Sequence, residues 1–258
     1  MKNCRPCLIL IFGILDITTK PKIAIRVSTL PEFGGGHVAR CLAVANEIVA
    51  LGASVLFIAD SEASDLVKRI RNCGFFVILD TPACRESAPS EFSAVLFDSS
   101  AMTLEEFEYW KRRSKYTAQF DDTYSGKFEC DLSFVAAPDA QISARNEVVY
   151  TGIDYIPLDA KYREFSGCQN IKKTHCVVAF GLFDGAGGTI KALTALHEVR
   201  QKIFKIDVTI IIGSHCKDLP SIKQAVHQMG SGVNLLVDCV NVPDVLKDVN
   251  LAVGAGGL

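Results

Sequence analysis

The feature that most constrains the fold of this chain is a repeated alternation. Short apolar runs rich in β-branched residues are each followed by a loop and then by a segment with helical spacing. Ile23–Val27, Ser54–Ala59, Phe75–Leu79, Ala94–Phe97 and Thr117–Phe120 read as strands, and LSFVA and VVY add two shorter ones. After the first strand, Val38, Cys41, Leu42, Ala45, Ile48 and Val49 recur at helical spacing, and Gly52 is placed to stop that helix. Glu62–Asn72 and Thr103–Arg113 read as helices too, the second with Thr103 as its cap. Alternation of this kind predicts parallel sheets with helices on both faces, an α/β class fold.

The rhythm breaks between Thr151 and Lys173, a polar stretch holding Gly152, Pro157 and Gly167. It restarts with CVVAFG, a helix near Thr189–Arg200, VTIIIG, a helix near Ser221–Met229, VNLLV, a short helix in VPDVLKDV, and LAVG. The expected organisation is an extension over 1–21, a first domain over 22–150, a linker over 151–173 and a second domain over 174–258. The sequence stops on a glycine loop that ought to open a helix, so the second domain is expected to be incomplete.

Composition narrows the partners. The 258 residues are 49% apolar and 22% charged, with a net charge of −2. A large core is available, and no concentration of Lys and Arg calls for nucleic acid or an acidic membrane surface. There are ten cysteines. Cys41, Cys73, Cys176 and Cys239 sit in or beside apolar runs and read as buried thiols, which fits a reducing cytoplasm. Cys4 and Cys7 form a lone CxxC with no second pair. LILIFGIL, after Lys2 and Arg5, has the look of an export signal, but Asp16 closes the run and no small-residue cleavage site follows. It is shorter than the roughly 20 residues that span a bilayer. It reads as an extension, with an export signal as the alternative. A cytoplasmic monomer is expected.

The chemistry concentrates in FGGGHVARC, residues 33–41. Gly34, Gly35 and Gly36 permit positive φ and close backbone approach. His37 follows at the mouth of a helix, where unpaired N–H groups favour negative charge. Imidazole is the side chain best suited to move a proton near neutral pH. The same residues also suit a tight turn with a surface histidine. Arg40, three residues on, shares the helix face of His37 and is placed either for a phosphate or for a carboxylate partner. Asp98 and Asp122 end strands, where they can orient His37, bind sugar hydroxyls or cap the next turn. Two more glycine loops, GLFDGAGG (residues 181–188) and GAGG (residues 254–257), follow strands of the second domain. Ligands of open α/β sheets bind at the carboxyl ends of strands, and exposed backbone amides there suit a diphosphate. Neither loop is a P-loop, and no GxGxxG follows the first strand, which disfavours an ordinary NAD site. His215, in GSHC after a strand, is a second candidate base. No metal-ligand spacing and no cofactor motif is recognised.

The order of these motifs resembles the UDP-sugar hydrolase family of pseudaminic acid biosynthesis, together with the related spore-coat polysaccharide biosynthesis group. The resemblance runs from about Lys22 to the end. It is carried by IAIRVSTLPEFGGGHVARCLAVA, LFDSS with Asp98, the Asp121–Asp122 pair, TGIDYIPLDAKYREF, GLFDGAGGT with Asp184, and the terminal GAGG. Three departures stand out. Ser28 replaces a usual aspartate, Ser100 the tyrosine of a D-x-Y motif, and Leu182 and Phe183 the small residues of a G-G-S-D loop.

The resemblance implies two Rossmann-like domains of glycosyltransferase-B type. It also implies a metal-independent, inverting hydrolase that releases UDP from a UDP-linked 2,4-diacetamido-2,4,6-trideoxy sugar. In that scheme His37 is the general base. Gly34, Gly35, Gly36, Arg40, Asp98, Asp122, Asp184, Gly185, Gly254, Gly256 and Gly257 contact the UDP-sugar. A glycosyltransferase using a UDP-sugar donor, or a non-catalytic nucleotide-sugar-binding protein, fits the same motifs.

Overall fold

The computed structural model describes residues 20–62, 64–99, 101–122, 126–136, 148–162, 174–202 and 206–255. The chain divides into two compact units, with the division between Ala160 and Lys161.

The first unit holds a seven-stranded sheet in the order β3-β2-β1-β4-β5-β6-β7. Its strands are β1 (Lys22–Val27), β2 (Ser54–Ala59), β3 (Phe76–Leu79), β4 (Phe92–Asp98), β5 (Ser114–Phe120), β6 (Leu132–Val135) and β7 (Val148–Thr151). Every neighbouring pair is parallel. Its described helices are α1 (Gly36–Ala50), α2 (Asp65–Asn72), α3 (Pro82–Ser87) and α4 (Leu104–Lys111). The strand order turns back between β1 and β4: β2 and β3 build outward from one side of β1, and β4 lies on the other. That reversal opens a crevice at the carboxyl ends of the two strands.

The second unit holds a four-stranded parallel sheet in the order β10-β9-β8-β11. Its elements are β8 (His175–Ala179), α5 (Gly188–Lys202), β9 (Asp207–Ile212), α6 (Leu219–Met229), β10 (Val233–Val237), α7 (Val242–Leu246) and β11 (Leu251–Gly254). Here the order reverses between β8 and β11, so the loop after β8 and the end of β11 meet at the equivalent place.

The burial pattern explains the elements. Val38, Cys41, Leu42, Ala45 and Ile48 of α1 are buried on the sheet. Trp110 of α4 is fully buried among Phe92, Phe97, Phe107 and Met102. Cys176, Val178, Val208 and Ile210 centre the core of the second unit with Leu193 and Ile222. No helix among the described residues is long and apolar enough to cross a membrane.

Several sequence expectations need correction. The second helix begins at Asp65, not Glu62. Ser64 caps it by accepting from the Leu66 amide, while Glu62 turns back to pair with Arg71. β5 begins three residues early, because Ser114–Tyr116 is its more polar end, half-buried around an exposed Lys115. α3 was not expected: six residues give too little periodicity, although Thr81 and Pro82 form a cap and first-turn pair. Of the glycines before His37, Gly34 alone has positive φ, at 75°. Gly35 is the helical N-cap and Gly36 the first residue of α1. Cys41 and Cys176 are buried, but Cys73 is exposed and Cys239 half-buried. Cys73 follows the last turn of α2 on its solvent side. Residues 1–19 of the extension, with Cys4 and Cys7, and Ser100 lie outside the described residues, as do Gly256 and Gly257.

Candidate functional site

In the first unit the crevice between β1 and β4 is where the sequence-nominated groups converge. α1 follows β1 after a loop that holds a 3-10 turn at Pro31–Phe33, and it brings His37 and Arg40 to the crevice on one helix face. Asp98 is the last residue of β4, and the Ser28 amide donates to its carbonyl at 2.9 Å, extending the β1–β4 ladder. Asp122 follows the end of β5. Nδ1 of His37 lies 2.6 Å from Oδ1 of Asp98. Arg40 donates through Nε to Asp98 Oδ2 at 2.9 Å and through Nη2 to Oδ1 at 2.7 Å. Its Nη1 reaches Asp122 Oδ1 at 2.5 Å. The Cys41 thiol donates to Asp98 Oδ2 at 3.3 Å. Asp121 points elsewhere and accepts from the Gly126 amide.

Burial decides the electrostatics. The Asp98 side chain is 1% exposed, and that of His37 is 17% exposed. Burial alone would push the Asp98 carboxyl up. The hydrogen bond from His37 and the charge and hydrogen bonds of Arg40 outweigh it and hold Asp98 below the usual carboxylate range. The hydrogen bond to Asp98 raises His37 above its ordinary value, against a smaller opposing effect of burial. Burial drives the Cys41 thiol well up, with Asp98 adding to it, so this cysteine is an inert donor and not a nucleophile. An ionised carboxylate accepts only, so the proton of neutral His37 sits on Nδ1. Nε2 then carries the lone pair and has no hydrogen-bond partner among the described residues. A buried carboxylate holding one ring nitrogen, with the other left free, is the arrangement of an oriented general base.

A second polar network lies beside it at the ends of β1, β2 and β3. Arg26 is 2% exposed in a strand that otherwise reads as apolar. It donates to Asp60 Oδ1 at 2.5 Å and to Asp80 Oδ2 at 2.7 Å. Asp60 also accepts from the Thr29 amide at 2.8 Å, and the Ser28 hydroxyl faces it at 3.4 Å. An aspartate in place of Ser28 would set a second carboxylate against Asp60. The acid at the end of β2 grips ribose in dinucleotide folds. Here it is consumed internally, so this unit lacks that grip. Sequence reasoning missed this network; Arg26 amid Ile23–Val27, with acids ending the next two strands, was the available signal. Phe120, whose ring lies 4.5 Å beneath the Arg40 guanidinium, was missed as well.

In the second unit Asp184 sits in the loop after β8 with a φ of 43°. Its Oδ1 accepts from the Gly188 amide and its Oδ2 from the Thr189 amide, each at 2.8 Å. The chain thus supplies its own anion to the start of α5, and Asp184 shapes the loop instead of facing outward. Gly185 is open, with nothing near a notional Cβ. Gly254 ends β11 so close to β8 that a Cβ would lie 2.6 Å from the Ala179 carbonyl oxygen. His215 is exposed on the loop after β9, its Nδ1 3.2 Å from the Ser214 hydroxyl. Among the described residues, no group of three or more His, Cys, Asp or Glu is arranged to hold a metal ion.

No family model matches the sequence, and no curated protein matches it. Solved structures do. A crystal structure of MurG from Acinetobacter baumannii is 13% identical with a TM-score of 0.54, covering 91% of this chain and 71% of that one. The spinosyn rhamnosyltransferase SpnG is 12% identical with a TM-score of 0.57, covering 92% and 76%. UDP-GlcNAc 2-epimerase from Neisseria meningitidis, bound to UDP-GlcNAc, is 11% identical with a TM-score of 0.52, covering 91% and 78%. At these identities the likeness establishes the fold: two Rossmann-like α/β units of glycosyltransferase-B type.

Proposed function

We propose that this chain is an enzyme acting on a UDP-sugar. His37 removes the proton from an O–H nucleophile, which attacks the anomeric carbon as UDP departs. The observation that carries this is the His37–Asp98 pair: Nδ1 is held by a buried carboxylate while Nε2 keeps its lone pair on a side chain that is still reachable. An O–H nucleophile is weak until its proton is taken, and a positioned base contributes roughly 10²–10⁴ in rate. Attack on the face opposite UDP inverts the anomeric centre.

The nucleotide is proposed to lie on the second unit, where β11 ends at Gly254 and the sequence runs on through further glycines. Support for UDP comes from fold neighbours, one of them solved with UDP-GlcNAc. The consumed Asp60 carboxylate supports keeping the nucleotide off the first unit.

Glycosyl transfer to an acceptor hydroxyl is the main assignment, because a rhamnosyltransferase stands among the fold neighbours. Hydrolysis, with water as nucleophile and a diacetamido-trideoxy sugar as substrate, is the second. It is favoured by the Phe33–Cys41 block and the order of motifs after it. The test is UDP release by the full chain from a panel of UDP-sugars. Release that requires an added acceptor supports transfer, and release into water alone supports hydrolysis. Tight UDP-sugar binding with no release under either condition removes the catalytic assignment.

A further inference from the structure

The clue is how Arg40 spends its donors. A guanidinium has five N–H groups in a planar fork. Nε and Nη2 grip Asp98, Nη1 reaches Asp122 Oδ1, and Nη2 also reaches Asp122 Oδ2 at 3.2 Å. One face lies on the Phe120 ring. The side chain is 12% exposed. A phosphate would have to displace one of the two carboxylates to be gripped in the bidentate way that arginine favours.

We infer that Arg40 is a positioning residue: it holds the Asp98 carboxylate ionised and in register against Nδ1 of His37, and it is not a ligand of the diphosphate. This rests on the assignment of His37 as base. Asp98 then has a donor for every lone-pair direction that matters. Oδ1 takes His37 and Arg40 Nη2, while Oδ2 takes Arg40 Nε and the Cys41 thiol. A carboxylate so enclosed cannot rotate away from the imidazole.

The charges agree. The groups facing His37 are Asp98 from β4, Arg40 and Cys41 from α1, and Asp122 after β5. With neutral His37 and a neutral thiol the cluster carries one net negative charge, and proton uptake by His37 makes it neutral. Without Arg40 two carboxylates would face the ring, and the imidazolium would persist to higher pH, leaving less free base near neutrality. Arg40 therefore does two things: it fixes the ring through Asp98, and it keeps the base from being saturated with protons.

The experiment uses the full chain with Arg40→Met and Arg40→Lys. His37 is titrated by NMR without substrate, UDP affinity is measured by calorimetry, and kcat and KM are measured with any UDP-sugar that turns over. Arg40→Met is expected to raise the His37 midpoint, leave UDP affinity within about twofold, and cut kcat by tenfold or more with KM unchanged. Arg40→Lys keeps the charge but loses the fork. It is expected to return the midpoint toward wild type and rescue kcat in part. A large loss of UDP affinity with the His37 midpoint unmoved overturns the inference. If Arg40→Met does not fold, Arg40→Lys decides: lowered kcat with intact UDP affinity supports positioning, and lowered UDP affinity with intact kcat contradicts it. If the wild type turns over no UDP-sugar, the base assignment fails, while the titration still reports whether Arg40 controls the ring.

Discussion

His37 and Asp98 stand 61 residues apart in sequence, yet Nδ1 of one lies 2.6 Å from Oδ1 of the other. The contact exists because the strand order reverses between β1 and β4. The helix that follows β1 and the last residue of β4 then face one crevice. The carboxylate dictates the tautomer and leaves Nε2 as the basic atom.

The pair sets opposite pH dependences for stability and for rate. The folded His37 titrates above its ordinary value of 6.5 because of its hydrogen bond to Asp98. A raised folded value means that the imidazolium–carboxylate pair stabilises the fold fully below pH 6.5, and that this contribution fades as pH rises through the folded value. Under the proposed role of His37 as base, the reaction needs the neutral ring, so the rate is expected to climb over the interval in which stability declines. A rate–pH profile of UDP release is expected to have its acid limb centred above 6.5. Thermal unfolding of His37→Gln followed against pH should lose the matching slope. An acid limb centred below the ordinary histidine value contradicts the pairing.

Asp98→Asn keeps the shape of the side chain but removes its charge, frees the tautomer and leaves Asp122 as the one carboxylate facing Arg40. The Asp98 side chain is 1% exposed. Breaking so buried a pair costs about 3–5 kcal/mol of stability. The rate of UDP release should fall by roughly 10²–10⁴, with nucleotide affinity retained. Denaturant unfolding and calorimetry with UDP check the two halves separately.

Asp184→Ala separates loop-building from ligand-binding in the second unit. It removes the carboxylate that accepts from the Gly188 and Thr189 amides. The lost cap should cost about 0.5–2 kcal/mol. If Asp184 shapes its loop and the nucleotide sits elsewhere, UDP affinity will not fall. A drop of tenfold or more would place Asp184 among the ligand contacts.

Gly213 tests the packing behind that loop. Its amide donates to the Leu182 carbonyl at 3.1 Å, and a Cβ there would lie 2.3 Å from the same oxygen. Gly213→Ala must shift backbone and should destabilise the second unit by about 1–3 kcal/mol. Gly185→Ala, where nothing lies within 4 Å of the added carbon, should stay within about 0.5 kcal/mol of wild type. Parallel urea titrations of the two variants provide the comparison.

Both sheets were legible in the sequence because a parallel α/β unit repeats its periodicity several times over. His37, Arg40, Asp98 and Asp122 were legible as candidates, since each sits at a strand end or a helix start. Their pairing was not. Arg40 meets carboxylates 58 and 82 residues away, and no local pattern encodes such a contact. Among the choices open to Arg40, the sequence allowed a phosphate as readily as a carboxylate. Arg26 was hidden for the same reason: its burial depends on Asp60 and Asp80, which arrive from two other strands. α3 was hidden by its length. Cys73 has an apolar neighbourhood in sequence, yet it caps the carboxyl end of α2 and is exposed.

The most direct measurement is the rate of UDP release by His37→Gln beside wild type, each with and without an added acceptor, together with UDP affinity by calorimetry. The account predicts that the variant binds UDP as tightly as wild type and releases it from the sugar roughly 10²–10⁴ times more slowly. Release at the wild-type rate would contradict the assignment of His37 as the base.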